Sequence, residues 1–236
     1  MTALTKAAIH QKTHRLIASR FPTVGVFDDL TSDPQDLRAA FLLESLTNDR
    51  LAAKRLGLLP DHEIISGVSG SGASIVMAAF LHADEAGGRF TDSRLGGWYA
   101  SFELETAFAE TLHHNTRRLS LSVGGFPNRI QMRELVTTIN TELVDVRGQQ
   151  NTQPELYHET DYSGSQAFAG NLRFPKSGAP ENGIVFDSVR RKAGTNLCLF
   201  WPSKVPLPVI QADHYEYQWN PDGQVTVVKL TKVAIT

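Results

Sequence analysis

Gly96-Gly97-Trp98-Tyr99-Ala100-Ser101, followed directly by Phe102-Glu103-Leu104-Glu105-Thr106-Ala107-Phe108-Ala109-Glu110-Thr111-Leu112-His113-His114-Asn115, places a short strand ahead of a helix. In the helical half, Leu104, Phe108 and Leu112 recur every four residues and build one apolar face. At ~100° per residue, Glu110 projects with Glu103, Thr106 and His114, away from that face. Geometry alone leaves it facing either solvent or a polar cleft.

Working outward, Leu119 to Val146 contains runs such as Ile130-Gln-Met-Arg-Glu-Leu-Val136 that alternate partly with period two, as strands do. Tyr162 to Arg173 reads as a helix. Gly183-Ile-Val-Phe186 and Leu197 to Trp201 read as buried strands. His214 to Trp219 and Val225 to Val233 form a hairpin around Asn220-Pro-Asp-Gly223, a strong turn sequence. On the N-terminal side, residues 1–31 read as an extended lead-in with room for a short first helix. Ser32-Asp33-Pro34 then starts a helix carrying Leu37, Phe41, Leu42 and Leu46 on one face, and Asn48 caps a second, short one. The expected fold is α+β: a mixed or antiparallel sheet with flanking helices, residues 61–236 forming one globular unit and residues 1–60 an N-terminal helical extension packed on it.

The 236 residues are 41% hydrophobic and 20% charged, an ordinary globular composition. A net charge of −2 gives no general pull toward nucleic acid or an anionic membrane. The short Arg190-Arg191-Lys192 run reads as a solvated turn or a local anion contact. The single cysteine, Cys198, excludes an internal disulfide and fits a reducing compartment; it sits in an apolar strand and reads as a packed thiol. With no secretory signal at Met1 to Gln11 and no apolar run of ~20 residues, the expected location is the cytoplasm.

Gly67-Val-Ser-Gly-Ser-Gly72 invites a phosphate-loop reading, but each template fails on one residue. A Walker loop needs Lys where Ala73 stands, a dinucleotide fingerprint needs Gly where Ile75 stands, and a nucleophile elbow needs Gly where Ser71 stands. His82, His113 and His114 match no metal-ligand spacing, so no metal is expected.

Several blocks, in order, resemble the RES family. The run Gly88-Arg89-Phe90-Thr91-Asp92, then Gly97-Trp98-Tyr99-Ala100-Ser101, Leu104-Glu105-Thr106-Ala107 and Glu110 is similar to that family's first signature. Tyr162-Ser163-Gly-Ser-Gln166 and Gly183-Ile-Val-Phe-Asp-Ser188-Val-Arg190 are similar to its second, and Ile75 to Phe80 resembles the run ahead of the motif arginine. The likeness spans about residues 65–235. The Arg, Glu and Ser that name the family fall on Arg89, Glu110 and Ser188, with the intervening aromatic on Tyr99.

The resemblance implies a fold related to ADP-ribosyltransferases, NAD⁺ as substrate, and a toxin that cleaves the nicotinamide–ribose bond with inorganic phosphate or water as acceptor. It also implies a partner antitoxin with an Xre-like helix-turn-helix domain, and higher-order complexes that leave room for a homodimer. On this reading Glu110 stabilises the oxocarbenium-like ribose, Arg89 holds a phosphate, Tyr99 stacks on nicotinamide, and Ser188 bonds the ribose or a phosphate. Ser101 and Arg190 are further contacts to NAD⁺. Two other readings are transfer of ADP-ribose to a protein and a non-catalytic regulatory module. Phe108 and Ala109 stand where arginine-directed transferases carry a second acid, and the motif residues a non-catalytic module would lose are all present.

Overall fold

The computed structural model describes residues 4–20, 57–60, 62–63, 72–231 and 233. The elements expected at Ser32-Asp33-Pro34 and Asn48, and the glycine-serine loop up to Ser71, lie outside them.

Among the described residues, seven strands and three α-helices follow in the order β1 (Lys6–Ala18), α1 (Ala73–Leu81), β2 (Trp98–Ser101), α2 (Leu104–Ser120), β3 (Asn128–Asp145), α3 (Ser163–Arg173), β4 (Gly183–Asp187), β5 (Thr195–Leu199), β6 (Ile210–Trp219) and β7 (Val225–Leu230). The sheet runs β1-β2-β5-β4-β3-β6-β7, and β1 also pairs with β3, which closes five strands into a ring. All pairs are antiparallel except β3–β4. The fold is therefore α+β with a mixed sheet.

β1 is a full member of that sheet. It pairs with β3 in unbroken register from Lys6↔Val144 to Ala18↔Met132, and touches β2 at His14↔Ser101. The lead-in is extended, as its sequence suggests, but it is built into the ring. β3 is one long strand of 18 residues, shared by three neighbours: β1 on one side, and β4 and β6 in succession on the other.

α2 runs five residues past Asn115 and lays Leu104, Phe108, Leu112 and Leu119 against Met132, Tyr215, Tyr217 and Trp219. Phe108 meets Tyr215 edge-on, with ring centroids 4.8 Å apart, and Thr111 Oγ1 lies 2.7 Å from the Tyr217 hydroxyl. This packing fixes the rotation of the helix and turns its opposite face away from the sheet aromatics. The larger core joins α1 to β2, β4 and β5 through Val76, Met77, Phe80, Trp98, Ile184 and Leu197. The hairpin turn forms as expected: Gly223 takes φ +78°, and Asn220 Oδ1 accepts from the backbone of Asp222 and Gln224.

Gly96 joins α1 to β2 at contact distance. Its N–H donates to Phe80 O at 2.8 Å, and a Cβ there would stand 2.2 Å from Ala79 O. Gly96→Ala therefore costs about 1–3 kcal/mol of stability, read as a lower midpoint in urea denaturation; an unchanged midpoint would mean that α1 shifts freely.

Candidate active site

The free face of α2 lines a cleft of about 830 Å³. Facing it are His14 to Leu16 of β1, Tyr99 to Ser101 of β2, the Gly87–Thr91 turn, Tyr162 and Gln166 at the start of α3, and Asn196 and Leu197 of β5. This size is ordinary for a small-molecule site.

Glu110 is held on the cleft wall by two donors. Its Oε1 accepts from Ser188 Oγ and from Asn196 Nδ2, both at 2.7 Å. Asn196 is oriented in turn by Ser101, whose Oγ donates to Asn196 Oδ1 at 2.6 Å. The β2–β5 register, which sets Ser101 opposite Asn196, brings this relay together. Ser188 Oγ also accepts from the backbone N–H groups of Arg190 and Arg191, each at 3.0 Å. A carboxylate can only accept hydrogen bonds, so this donor set fixes Oε1. Oε2 has no hydrogen-bond partner among the described residues.

Arg89 sits on a tightly defined turn. Gly87 has φ +72°, and a Cβ there would lie 2.3 Å from Thr91 O, so only glycine fits. Gly88 N–H donates to Thr91 O at 2.8 Å, and Gln166 Nε2 donates to the carbonyls of Ala86 and Gly88. The Tyr99 hydroxyl accepts from Phe90 N–H at 2.8 Å and lies 3.1 Å from Thr91 Oγ1, and burial holds its pKa well above the usual tyrosine value. That hydroxyl secures the turn, while the rest of Tyr99 lines the cleft.

The Arg89 side chain is only 8% exposed. Its Nη1 donates to Leu156 O and His158 O, both at 2.9 Å, and the guanidinium lies 4.7 Å over the Tyr162 ring. Burial lowers its pKa, and the neighbouring Tyr162 and Glu110 oppose that shift. The Nε and Nη2 groups make no protein hydrogen bond among the described residues. The planar fork thus has one nitrogen committed to the fold and a second side left over.

The structure brings Arg89, Tyr99, Ser101 and Glu110 onto one cleft. Ser188 touches Glu110 but does not line the cleft, and its hydroxyl proton is engaged by the carboxylate. Arg190 also stays off the lining: Nη2 donates to Glu159 O, Nη1 is 3.9 Å from Glu159 Oε2, and Nε is buried without a partner. Cys198 is fully buried, and burial pushes its thiol up to about 12, well out of reach of thiolate chemistry at neutral pH. Phe108 belongs to the aromatic packing on the other face of α2, so no second acid accompanies Glu110 there.

Sequence reasoning gave no role to Asn196, nor to Tyr162 and Gln166, although these two stand in the block that resembles the second signature. The signal at Asn196 was a lone amide opening an otherwise apolar strand, Leu197–Trp201. Among the described residues no group of three or more His, Cys, Asp or Glu could hold a metal ion, and no helix is long and apolar enough to cross a membrane.

Compared with known proteins, the chain is 24% identical over 221 residues to the uncharacterized protein y4oC of Sinorhizobium fredii (strain NBRC 101917 / NGR234), covering 92% of this chain and 86% of that one. A chain from the crystal structure of the M. tuberculosis MbcT–MbcA toxin–antitoxin complex aligns with 96% of this chain and 87% of its own length, at 11% identity and a TM-score of 0.46. The family model for the RES domain matches residues 65–220. That match takes in the Arg89 turn, Glu110, Ser188 and Asn196 and spans more than half of the sequence: the chain belongs to the RES domain family.

Proposed function

We propose that this protein is a toxin enzyme that cleaves the nicotinamide–ribose bond of NAD⁺, with inorganic phosphate or water as acceptor, and that a cognate antitoxin with a helix-turn-helix domain restrains it. The observation that carries the reading is the Glu110 carboxylate, pinned through one oxygen by Ser188 and Asn196 and leaving the other beside a cleft of nucleotide size.

The chemistry follows from what NAD⁺ supplies. Its nicotinamide is a pyridinium, so the C1–N bond breaks with its electron pair passing to the ring nitrogen, and nicotinamide leaves neutral. Positive charge develops on the ribose. A fixed carboxylate answers that charge without reorganising at the moment of reaction. Its free oxygen is also placed to accept a hydrogen bond from a ribose hydroxyl.

An oxygen of the acceptor then bonds C1. Hydrogen phosphate gives the 1-phosphate of ADP-ribose, and water gives ADP-ribose with release of a proton. Arg89 offers its uncommitted donors to a phosphate oxygen, and Tyr99 and Tyr162 supply flat apolar surfaces for the nicotinamide. Ser101 and Ser188 act through Asn196 and Glu110, so their role is to position the carboxylate.

The test is to incubate the purified protein with NAD⁺, with and without inorganic phosphate, and to resolve the products by mass. Free nicotinamide together with ADP-ribose 1-phosphate or ADP-ribose supports the reading and names the acceptor. Intact NAD⁺ under both conditions contradicts it.

Replacing Arg89 separates capture from chemistry. Arg89→Ala weakens NAD⁺ binding about tenfold or more, and Arg89→Lys, which keeps the charge but not the fork, recovers only part of it. Calorimetry reads both, with thermal melts confirming the fold. Affinity unchanged in both variants would place the guanidinium outside the site.

A further inference from the structure

The cleft continues along α2 beyond Glu110, past residues that the reaction above does not use. Ala107, Glu110, Thr111, His114, Arg117 and Arg118 all line it, at the spacing of a single helical stripe. At 1.5 Å per residue, Arg117 and Arg118 stand about 10.5–12 Å along the helix from Glu110. Long helical side chains lean toward the helix N-terminus, here the end that carries Glu110. Neither arginine has an acidic partner among the described residues, although Arg190 and Arg191 nearby are each paired. Arg118 and Glu110 both act electrostatically on His114, so the three groups share one neighbourhood.

We infer that this arm, the cations Arg117 and Arg118 with the neutral imidazole of His114 beside them, is the subsite for the phosphate groups of the dinucleotide. The inference rests on the proposed NAD⁺ chemistry and adds a direction to it. The substrate lies with its reacting ribose at Glu110 and its diphosphate along the second half of α2.

Arginines in the last turn of a helix also complement its dipole, and that role alone predicts a change in melting temperature without a change in ligand affinity. The experiment uses ADP as the probe, titrated calorimetrically into the intact wild-type chain and into Arg117→Gln/Arg118→Gln, with Arg117→Lys/Arg118→Lys as the charge-retaining control. Wild type binds ADP. The Gln pair binds it about tenfold or more weaker, and the Lys pair recovers most of the loss. In turnover, the Gln pair raises KM for NAD⁺ far more than it lowers kcat. Equal ADP affinity in wild type and the Gln pair overturns the inference, as does a wild-type chain that binds no ADP. Arginine-dependent ADP binding by a protein that leaves NAD⁺ intact supports the arm and overturns the proposed reaction instead.

Discussion

Glu110→Gln lowers turnover of NAD⁺ by about 10²-fold or more, with the fold intact and NAD⁺ still bound. The variant keeps the shape of the side chain and an acceptor oxygen, so Ser188 Oγ and Asn196 Nδ2 retain their 2.7 Å partner. What it loses is the negative charge facing the ribose. That charge matters most as nicotinamide departs, and much less when the intact dinucleotide binds, so kcat falls while KM moves little. Single-turnover nicotinamide release, together with calorimetric NAD⁺ affinity, measures the two effects separately. Wild-type turnover in this variant would remove Glu110 from the chemistry, and loss of binding alone would make it a capture residue.

The second large effect is expected at Asn196, which the family's naming residues do not include. Asn196→Leu removes one of the two donors on Glu110 and strands the Ser101 hydroxyl, which now donates to Asn196 at 2.6 Å. An unsatisfied buried polar group costs about 1–3 kcal/mol, so a loss of order 10- to 100-fold follows if that cost falls on the oriented carboxylate.

Asn196→Asp makes the positioning role visible in a pH profile. While protonated, the introduced carboxyl donates to Glu110 much as the amide does, and a carboxyl pair this close holds one proton in common. Activity is therefore retained on the acid side and falls as pH rises and the shared proton leaves. The wild-type amide cannot titrate in this way. A profile parallel to wild type would show that Asn196 does not orient Glu110.

Much of this architecture was legible in sequence where a pattern repeats within one element. Leu104, Phe108 and Leu112 marked the buried face of α2, and Asn220 to Gly223 marked the hairpin turn. β1 was legible as an extended lead-in but not as a strand of the sheet, because its buried residues, Ile9, Thr13 and Leu16, fall at intervals of four and three, which mimic a helix. Its strand character comes from pairing with β3, more than a hundred residues away. β3 carries no clean alternation because residues on both its faces are buried in succession from Met132 to Leu135.

The same division holds for the site. Arg89, Tyr99 and Glu110 were readable because ordered blocks resemble a family. Asn196 was not, since one amide has no periodicity and its partners meet only through the register of β2 against β5. The competing uses of hydroxyl groups were equally hidden. Tyr99 secures the Arg89 turn and Ser188 engages Glu110, which sequence could not distinguish from direct contacts to a substrate.

The most direct test of the account is the crystal structure of the Glu110→Gln variant soaked with NAD⁺. The dinucleotide is expected in the α2 cleft, with a nicotinamide-ribose hydroxyl within hydrogen-bond distance of residue 110 and the nicotinamide against Tyr99 or Tyr162. NAD⁺ bound elsewhere on the chain, or seated in the cleft with its ribose turned away from residue 110, would contradict it.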